Sequence, residues 1–112
     1  MRLEYDEATS VNRIAEAVHE NARAKGFWPV GRSDAECVAL IHSEVSELLE
    51  GLRHGNPPSD HIPDFSAAEE ECADVLIRVL DLAGAHGWRV GDALLEKHKF
   101  NLSRPTKHGK AF

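Results

Sequence analysis

The segment from Ser66 to about Ala85 constrains the fold of this chain more than any other stretch. It opens with the spacing of a capping box, Ser66 to Glu69, and its apolar residues then cover most of the circumference of a helix. A helix of that kind must be covered by neighbours, so we predict that it is central and buried. The one polar strip that remains must face a polar cavity or a subunit contact, and it consists of Glu70, Glu71, Asp74, Arg78 and Asp81.

Three other segments also have the apolar periodicity of helices. We predict that the first runs from about Thr9 to Lys25, the second from a capping box at Ser33 to about Arg53, and the fourth from about Gly91 to Ser103. Stretches that contain glycine or proline separate them. We therefore predict an all-α fold, a compact bundle of four main helices, in a single domain spanning residues 1–112 with a basic, extended tail at 104–112.

The distribution of charge narrows the classes of partner. The chain of 112 residues has a net charge of −6, but residues 1–96 hold all 19 acidic side chains and 8 basic ones, giving −11, whereas residues 97–112 hold 5 basic side chains and no acidic one. An acidic body argues against binding along a nucleic-acid polymer, and no apolar run is long enough to span a membrane. The short basic tail is suited to an anion, such as a phosphate complexed by a metal ion.

The two cysteines, Cys37 and Cys72, lack the spacing of a metal or redox motif and fall on apolar helical faces. We predict that both are buried thiols in a reducing, cytoplasmic compartment. The wide apolar surface of the third helix exceeds what one bundle of this length covers. We therefore predict a homo-oligomer, a homodimer or a homotetramer, with contacts made by the second and third helices.

Two pairs of acidic residues dominate the chemistry of the sequence. Glu44 and Glu47 lie on the second helix, and Glu71 and Asp74 lie on the third, each pair with the i,i+3 spacing that places both side chains on one side of a helix. Glu44 also interrupts an apolar stripe, which a solvated glutamate would avoid. Four converging carboxylates need a cation between them, and oxygen ligands alone favour Mg²⁺, with Mn²⁺ as a substitute.

Two further regions are candidate contacts for a substrate. The turn after the first helix contains Phe27 and Trp28, which either fill a local part of the core or stack on a nucleobase. The candidate phosphate-binding residues belong to the fourth helix and the tail, where a solvated basic face is the alternative interpretation. They are Lys97, Asn101, Arg104, Lys107 and Lys110.

These motifs together resemble the MazG-like family of all-α nucleoside triphosphate pyrophosphohydrolases. The resemblance covers nearly the whole chain. Neither acidic pair alone would be specific for this family, since Glu-x-x-Glu is common on helices. The segments that carry it are Lys25-Gly26-Phe27-Trp28, Ile41-His42-Ser43-Glu44-Val45-Ser46-Glu47, Glu71-Cys72-Ala73-Asp74-Val75-Leu76-Ile77, Lys97, Asn101-Leu102-Ser103-Arg104-Pro105 and His108-Gly109-Lys110.

The resemblance implies Mg²⁺-dependent hydrolysis of an NTP or dNTP between the α and β phosphates, which releases a monophosphate and pyrophosphate in house-cleaning of the nucleotide pool. It implies that the four acids of the two pairs bind the metal. Two departures concern the site. Many relatives have two adjacent acids where this chain has Ser43-Glu44, which leaves Glu44 or Glu47 as the candidate general base, and some have an asparagine where this chain has Arg78.

Other functions remain open at this point. A di-iron carboxylate bundle expects two Glu-x-x-His motifs, whereas only Glu16-Ala17-Val18-His19 fits, and the seven histidines lack zinc-binding spacing. Phosphoribosyl-ATP pyrophosphatase and dUTP pyrophosphatase belong to the same superfamily. A non-catalytic helical module, whose acidic strip binds the basic residues of a partner, belongs to a different class.

Overall fold

The computed structural model describes all residues from 1 to 112, and it confirms an all-α bundle of four helices without strands. Helix α1 spans Tyr5–Ala24, α2 spans Asp34–Arg53, α3 spans Ala67–His86 and α4 spans Val90–Leu102. Within the tail that was predicted to be extended, Thr106–Gly109 form one short 3₁₀ turn. No helix combines the length and the apolar character that a membrane span requires.

The helix ends follow local capping chemistry. The capping box that opens α3 is confirmed, because the Glu69 amide donates to Ser66 Oγ at 3.2 Å and the Ser66 amide donates to Glu69 Oε1 at 3.0 Å. At the other end, Gly87 adopts a left-handed φ of 66° and terminates α3. Helix α1 begins at Tyr5, four residues before the predicted start, because the side chain of Glu7 accepts a hydrogen bond from the Glu4 amide at 2.9 Å.

The helices pack in the order α2, α3, α1, α4, so α3 and α1 are the two inner helices. Only Asp81, Leu82 and Ala83 of α3 are buried, so the predicted central position is confirmed and the predicted burial is not. Two glycines permit the closest approaches on α1. A Cβ atom at Gly84 would lie 2.7 Å from the carbonyl oxygen of Ala15, and a Cβ atom at Gly91 would overlap the carbonyl oxygen of Ala8. The Gly91 amide instead donates to Asn12 Oδ1 at 2.8 Å. Small side chains thus set the distances of α1 from α3 and α4.

The bundle leaves much apolar surface uncovered. It exposes 8359 Å², whereas a folded monomer of 112 residues is expected to expose about 6,100 Å². Its radius of gyration is 16.2 Å, against about 13 Å expected for this length. On α2, the exposed apolar residues recur at helical intervals along one face, which we call the α2 stripe: Val38, Val45, Leu49 and Leu52.

The cysteine prediction is confirmed at one position and wrong at the other. Cys37 is buried, whereas Cys72 is exposed. The apolar arc of α3 is wider than the surface that α1 and α2 cover, so part of it, including Cys72 and Leu76, reaches the surface. The width of the apolar arc indicates how much of the α3 surface must be covered by neighbouring helices. Within one chain, α1 and α2 cover only part of that surface.

Candidate functional site

Three of the four predicted metal-binding acids converge between α2 and α3. One carboxylate oxygen from each of Glu44, Glu71 and Asp74 lies within 4.8 Å of the other two, and we call this set the carboxylate cluster. All three side chains are partly buried. Glu47, one turn after Glu44 on α2, is exposed and lies outside the cluster.

The carboxylate cluster is electrostatically strained when no cation is present. Burial raises the pKa of Glu71, and the negative charges of Asp74 and Glu44 raise it further. Burial likewise raises the pKa of Asp74, followed by the charges of Glu44 and Glu70. Both directions show that the negative form of these groups is disfavoured where they stand, so a bound cation would stabilise them.

The residues present fit a hard divalent cation. All three groups offer oxygen atoms, which suit Mg²⁺ or Mn²⁺. Glu71 Oε2 is buried and has no hydrogen-bond donor within the protein. A buried carboxylate oxygen without a donor is costly, and a metal ion is one ligand that would satisfy it.

Arg78 supplies a positive charge beside the carboxylate cluster. Its Nε donates to Glu44 Oε1 at 2.9 Å, and both side chains are partly buried. The charge of Arg78 also lowers the pKa of Asp74, against the larger effects of burial and of the neighbouring acids. Some members of the MazG-like family, which this chain resembles, have asparagine at the position of this arginine. We did not predict a role for Arg78 from the sequence.

A cavity of about 270 Å³ adjoins the carboxylate cluster. Phe27, one of the two stacking candidates, forms part of its wall, whereas Trp28 does not. Its lining combines apolar side chains with acids and two arginines: Val18, Asn21, Ala22, Phe27, Arg32, Glu44, Asp74, Ile77, Arg78 and Asp81. The space is thus bounded by an aromatic ring and by two members of the cluster.

Trp28 instead belongs to a polar network that supports the cavity wall. Its indole Nε1 donates to Asp81 Oδ1 at 2.9 Å and to Oδ2 at 3.1 Å, and His19 Nδ1 lies 2.8 Å from Asp81 Oδ1. The guanidinium of Arg32 stacks over the Trp28 ring at 4.6 Å. The network ties the turn after α1 to α3. The only sequence signal for it was the position of Asp81 on the polar strip of the third helix.

The loop between α2 and α3 is anchored next to the cluster. Buried Ser59 donates to Glu70 Oε1 at 2.8 Å, and His61 Nδ1 lies 2.8 Å from Glu70 Oε2. The hydrogen bond to Glu70 is the main cause of the raised pKa of His61, and the same contact lowers the pKa of Glu70. We did not predict this anchor, because histidine, serine and glutamate at these spacings are common in solvated loops.

The predicted phosphate-binding residues lie apart from the cavity within one chain. Helix α4 packs against α1, and none of these residues lines the cavity or pairs with the carboxylate cluster: Lys97, Asn101, Arg104, Lys107 and Lys110. The Nζ of Lys97 and the guanidinium of Arg104 both lie over the Phe100 ring, at 4.8 and 5.4 Å. Asn101 Oδ1 is buried without a hydrogen-bond partner.

Comparisons with protein-family models, with curated proteins and with solved structures gave no match for this chain. A function must therefore be inferred from its own residues. The carboxylate cluster, the adjoining cavity and Arg78 are the features that carry chemistry.

Proposed function

We propose that this chain is a Mg²⁺-dependent nucleoside triphosphate pyrophosphohydrolase, which cleaves an NTP or dNTP between the α and β phosphates. The observation that carries the proposal is the carboxylate cluster, three oxygen donors within 4.8 Å of one another at the edge of a cavity of about 270 Å³. The resemblance to the MazG-like family supports the same assignment, as does the acidic charge of residues 1–96. Such a body would repel a triphosphate that is not complexed with cations.

The roles of the acidic residues follow from their positions. Glu44, Glu71 and Asp74 would hold the metal, which would supply Lewis acidity toward the phosphate oxygens and the attacking water. Glu47 is exposed and outside the cluster, and its charge contributes to the raised pKa of Glu71. Because Glu44 belongs to the cluster, Glu47 is the better candidate for the general base that accepts the proton from the attacking water.

The cavity wall accounts for a nucleoside ligand. Phe27, in the turn after α1, adds an aromatic ring to the cavity lining, and Ile77 of α3 adds apolar surface. Trp28 supports this wall from behind through its hydrogen bonds to Asp81 rather than by stacking on the base itself. We propose that Phe27 is the stacking residue and Trp28 its support.

A second copy of the chain is the partner that fits the uncovered surface. The exposed area exceeds the expectation for a monomer by about 2,200 Å², and the residues of the α2 stripe are part of the exposed apolar surface. If each of two copies buried that excess, the contact would bury about 4,400 Å² in total, which lies in the range of obligate homodimer interfaces. We propose a homodimer or homotetramer in which α2 and α3 form the contact. In such an assembly, the basic tail of one copy can serve the carboxylate cluster of another.

Two alternatives compete with this assignment. Phosphoribosyl-ATP and dUTP pyrophosphatases would use the same metal chemistry with another substrate. A non-catalytic helical interaction module would bind the basic residues of a partner with its acidic strip and would bury the exposed apolar surface, but it gives no reason for a cavity beside the converging carboxylates.

A release assay tests the proposal. The purified chain is incubated with each standard and damaged nucleoside triphosphate, with dUTP and with phosphoribosyl-ATP, in Mg²⁺, in Mn²⁺ and in EDTA. Release of pyrophosphate and a monophosphate that requires the divalent ion supports the enzyme, and the preferred substrate separates the superfamily alternatives. Absence of release from every substrate, with no stabilisation by Mg²⁺, favours the interaction module.

A further inference from the structure

Arg78 lies at the boundary between the carboxylate cluster and the cavity. It is on α3, one turn after Asp74 and three residues before Asp81, and all three side chains line the cavity. Its Nε donates to Glu44 Oε1, the one side-chain hydrogen bond that Arg78 makes within the protein. A guanidinium has five N–H donors in a planar fork, so most of its donors have no protein partner.

The other basic side chains near the cavity either have a different partner or lie elsewhere. Arg32, the second arginine of the cavity lining, donates from Nη1 to the carbonyl oxygen of Phe27 and stacks over Trp28. The basic residues of α4 and the tail do not line this cavity. Each cavity arginine thus makes one side-chain hydrogen bond within the protein, but only the partner of Arg78 belongs to the carboxylate cluster, so only that bond would be contested by a cation there.

Arg78 and a divalent cation would compete for the same carboxylate, that of Glu44. Without a metal ion, its guanidinium offsets part of the repulsion between Glu44 and Asp74. A divalent cation at Glu44 would compete for the same carboxylate and would repel the guanidinium. The guanidinium of Arg78, no longer paired with Glu44, would then lie beside the cavity. Its planar set of N–H donors fits the oxygen atoms of a phosphate group.

We propose that Arg78 exchanges partners, pairing with Glu44 in the metal-free chain and binding the phosphate chain of the substrate once a divalent cation occupies the carboxylate cluster. This inference rests on the proposed function and adds to it a substrate-binding residue. Arg78 would thus serve within each chain as a phosphate contact, independently of the basic tail.

The test combines two binding measurements on Arg78→Gln. Binding of Mn²⁺ alone, measured by electron paramagnetic resonance, should become at least about threefold tighter, because the competing cation is lost. Binding of inorganic triphosphate in saturating Mn²⁺, measured by calorimetry, should weaken about tenfold or more, because a charge-assisted contact is lost. A purely structural role would not move the two affinities in opposite directions. If either affinity stays within twofold of the wild type, the exchange does not occur.

Two further variants complete the test. Arg53→Gln is the matched control, because Arg53 is exposed at the end of α2 and pairs only with Glu50 at 3.8 Å. It should change neither affinity. Arg78→Lys keeps the positive charge and replaces Arg78→Gln in the test if that variant does not fold. The Mn²⁺ affinity of Arg78→Lys should match that of the wild type, and its triphosphate affinity should fall severalfold. Wild-type triphosphate affinity in Arg78→Lys would overturn the inference. A wild-type chain that binds neither Mn²⁺ nor triphosphate overturns the proposed function as well.

Discussion

The α2–α3 half and the α1–α4 half of the molecule use charged residues at similar helical spacings with different results. In the first half, acids from two helices converge within 4.8 Å beside a cavity. In the second half, Lys97 lies on α4 and Arg104 lies just beyond its end, and both side chains lie over the ring of Phe100. Each half also holds one buried oxygen without a partner, Glu71 Oε2 and Asn101 Oδ1. Periodic charges form a site where two helices face each other, whereas one helix alone yields a charged face.

The largest expected effect concerns the acids of the first half. Asp74→Asn or Glu44→Gln removes a charged oxygen ligand and should abolish pyrophosphate release while the helical circular dichroism remains. Glu50→Gln is the control, since Glu50 is an exposed acid of α2 and should leave the rate unchanged. Steady-state release measures the effect. If both cluster variants retain more than about a tenth of the activity, a loss below ~1.4 kcal/mol, the cluster is not the reaction centre.

The next effect compares apolar surface in the two halves. Leu49 on α2 and Leu94 on α4 are both 51% exposed, so they form a matched pair. Leu49→Asp should dissociate the oligomer into monomers, because an unpaired carboxylate in an apolar contact is strongly unfavourable. Leu94→Asp should leave the assembly intact. Sedimentation at micromolar concentration measures both, and a monomeric wild type would contradict the proposed assembly.

A smaller effect tests whether the second half takes part in the reaction. Arg104→Ala should cost on the order of 1.5 to 3 kcal/mol in kcat/KM if Arg104 binds phosphate, and Arg104→Lys should recover only part of this. Removal of residues 105–112 should raise KM more than it lowers kcat. Arg13→Ala, at an exposed arginine of α1, is the control. Steady-state kinetics at ~150 mM salt, where long-range steering is screened, measure the effect, and unchanged constants would exclude the basic residues of α4 and the tail from the site.

The smallest effect is a pH dependence of stability in EDTA. The pKa values of Glu71 and Asp74 are raised in the folded chain, so their protonated forms stabilise it at low pH, and this contribution is lost as the pH rises through the folded pKa. His61, also raised, acts in the same direction. The thermal midpoint should therefore rise as the pH is lowered from about 8 toward the ordinary pKa range of a glutamate, before the groups with lowered pKa values titrate.

Glu71→Gln separates the contribution of the cluster from that of His61. This variant cannot ionise at position 71, so its thermal midpoint at about pH 8 should exceed that of the wild type, and the rise toward lower pH should shrink. Excess Mg²⁺ should remove the difference by stabilising the wild type. An identical pH profile for the two proteins would show that repulsion at Glu71 is negligible.

Local sequence signals predicted the helices well, because capping and periodicity act over a few residues. Ser33 and Ser66 cap α2 and α3, since each hydroxyl accepts a hydrogen bond from the amide three residues later, but the reciprocal bond of the predicted capping box forms only at Ser66. The intrusion of Glu44 into an apolar stripe correctly indicated a partly buried acid facing α3. Such signals depend only on which residues share a helical face.

Capping and periodicity did not predict which helices contact each other or how they are rotated against each other. The exclusion of Glu47 from the cluster depends on the rotation of α2 against α3, and the bond between Trp28 and Asp81 depends on where the turn after α1 folds back. The contact of α4 with α1 rather than with α2 is likewise a matter of helix order. Periodicity assigns a residue to a face, but it does not identify the neighbour of that face.

The missing side chain of Gly84 reaches further than its own contact. Its backbone lies against Ala15 and His19, and His19 in turn bonds Asp81, which holds Trp28 beside the cavity wall. Packed interiors transmit displacement rather than absorb it. The close approach of α3 to α1 at Gly84 therefore also affects the width of the cavity beside the carboxylate cluster, although Gly84 itself does not line that cavity.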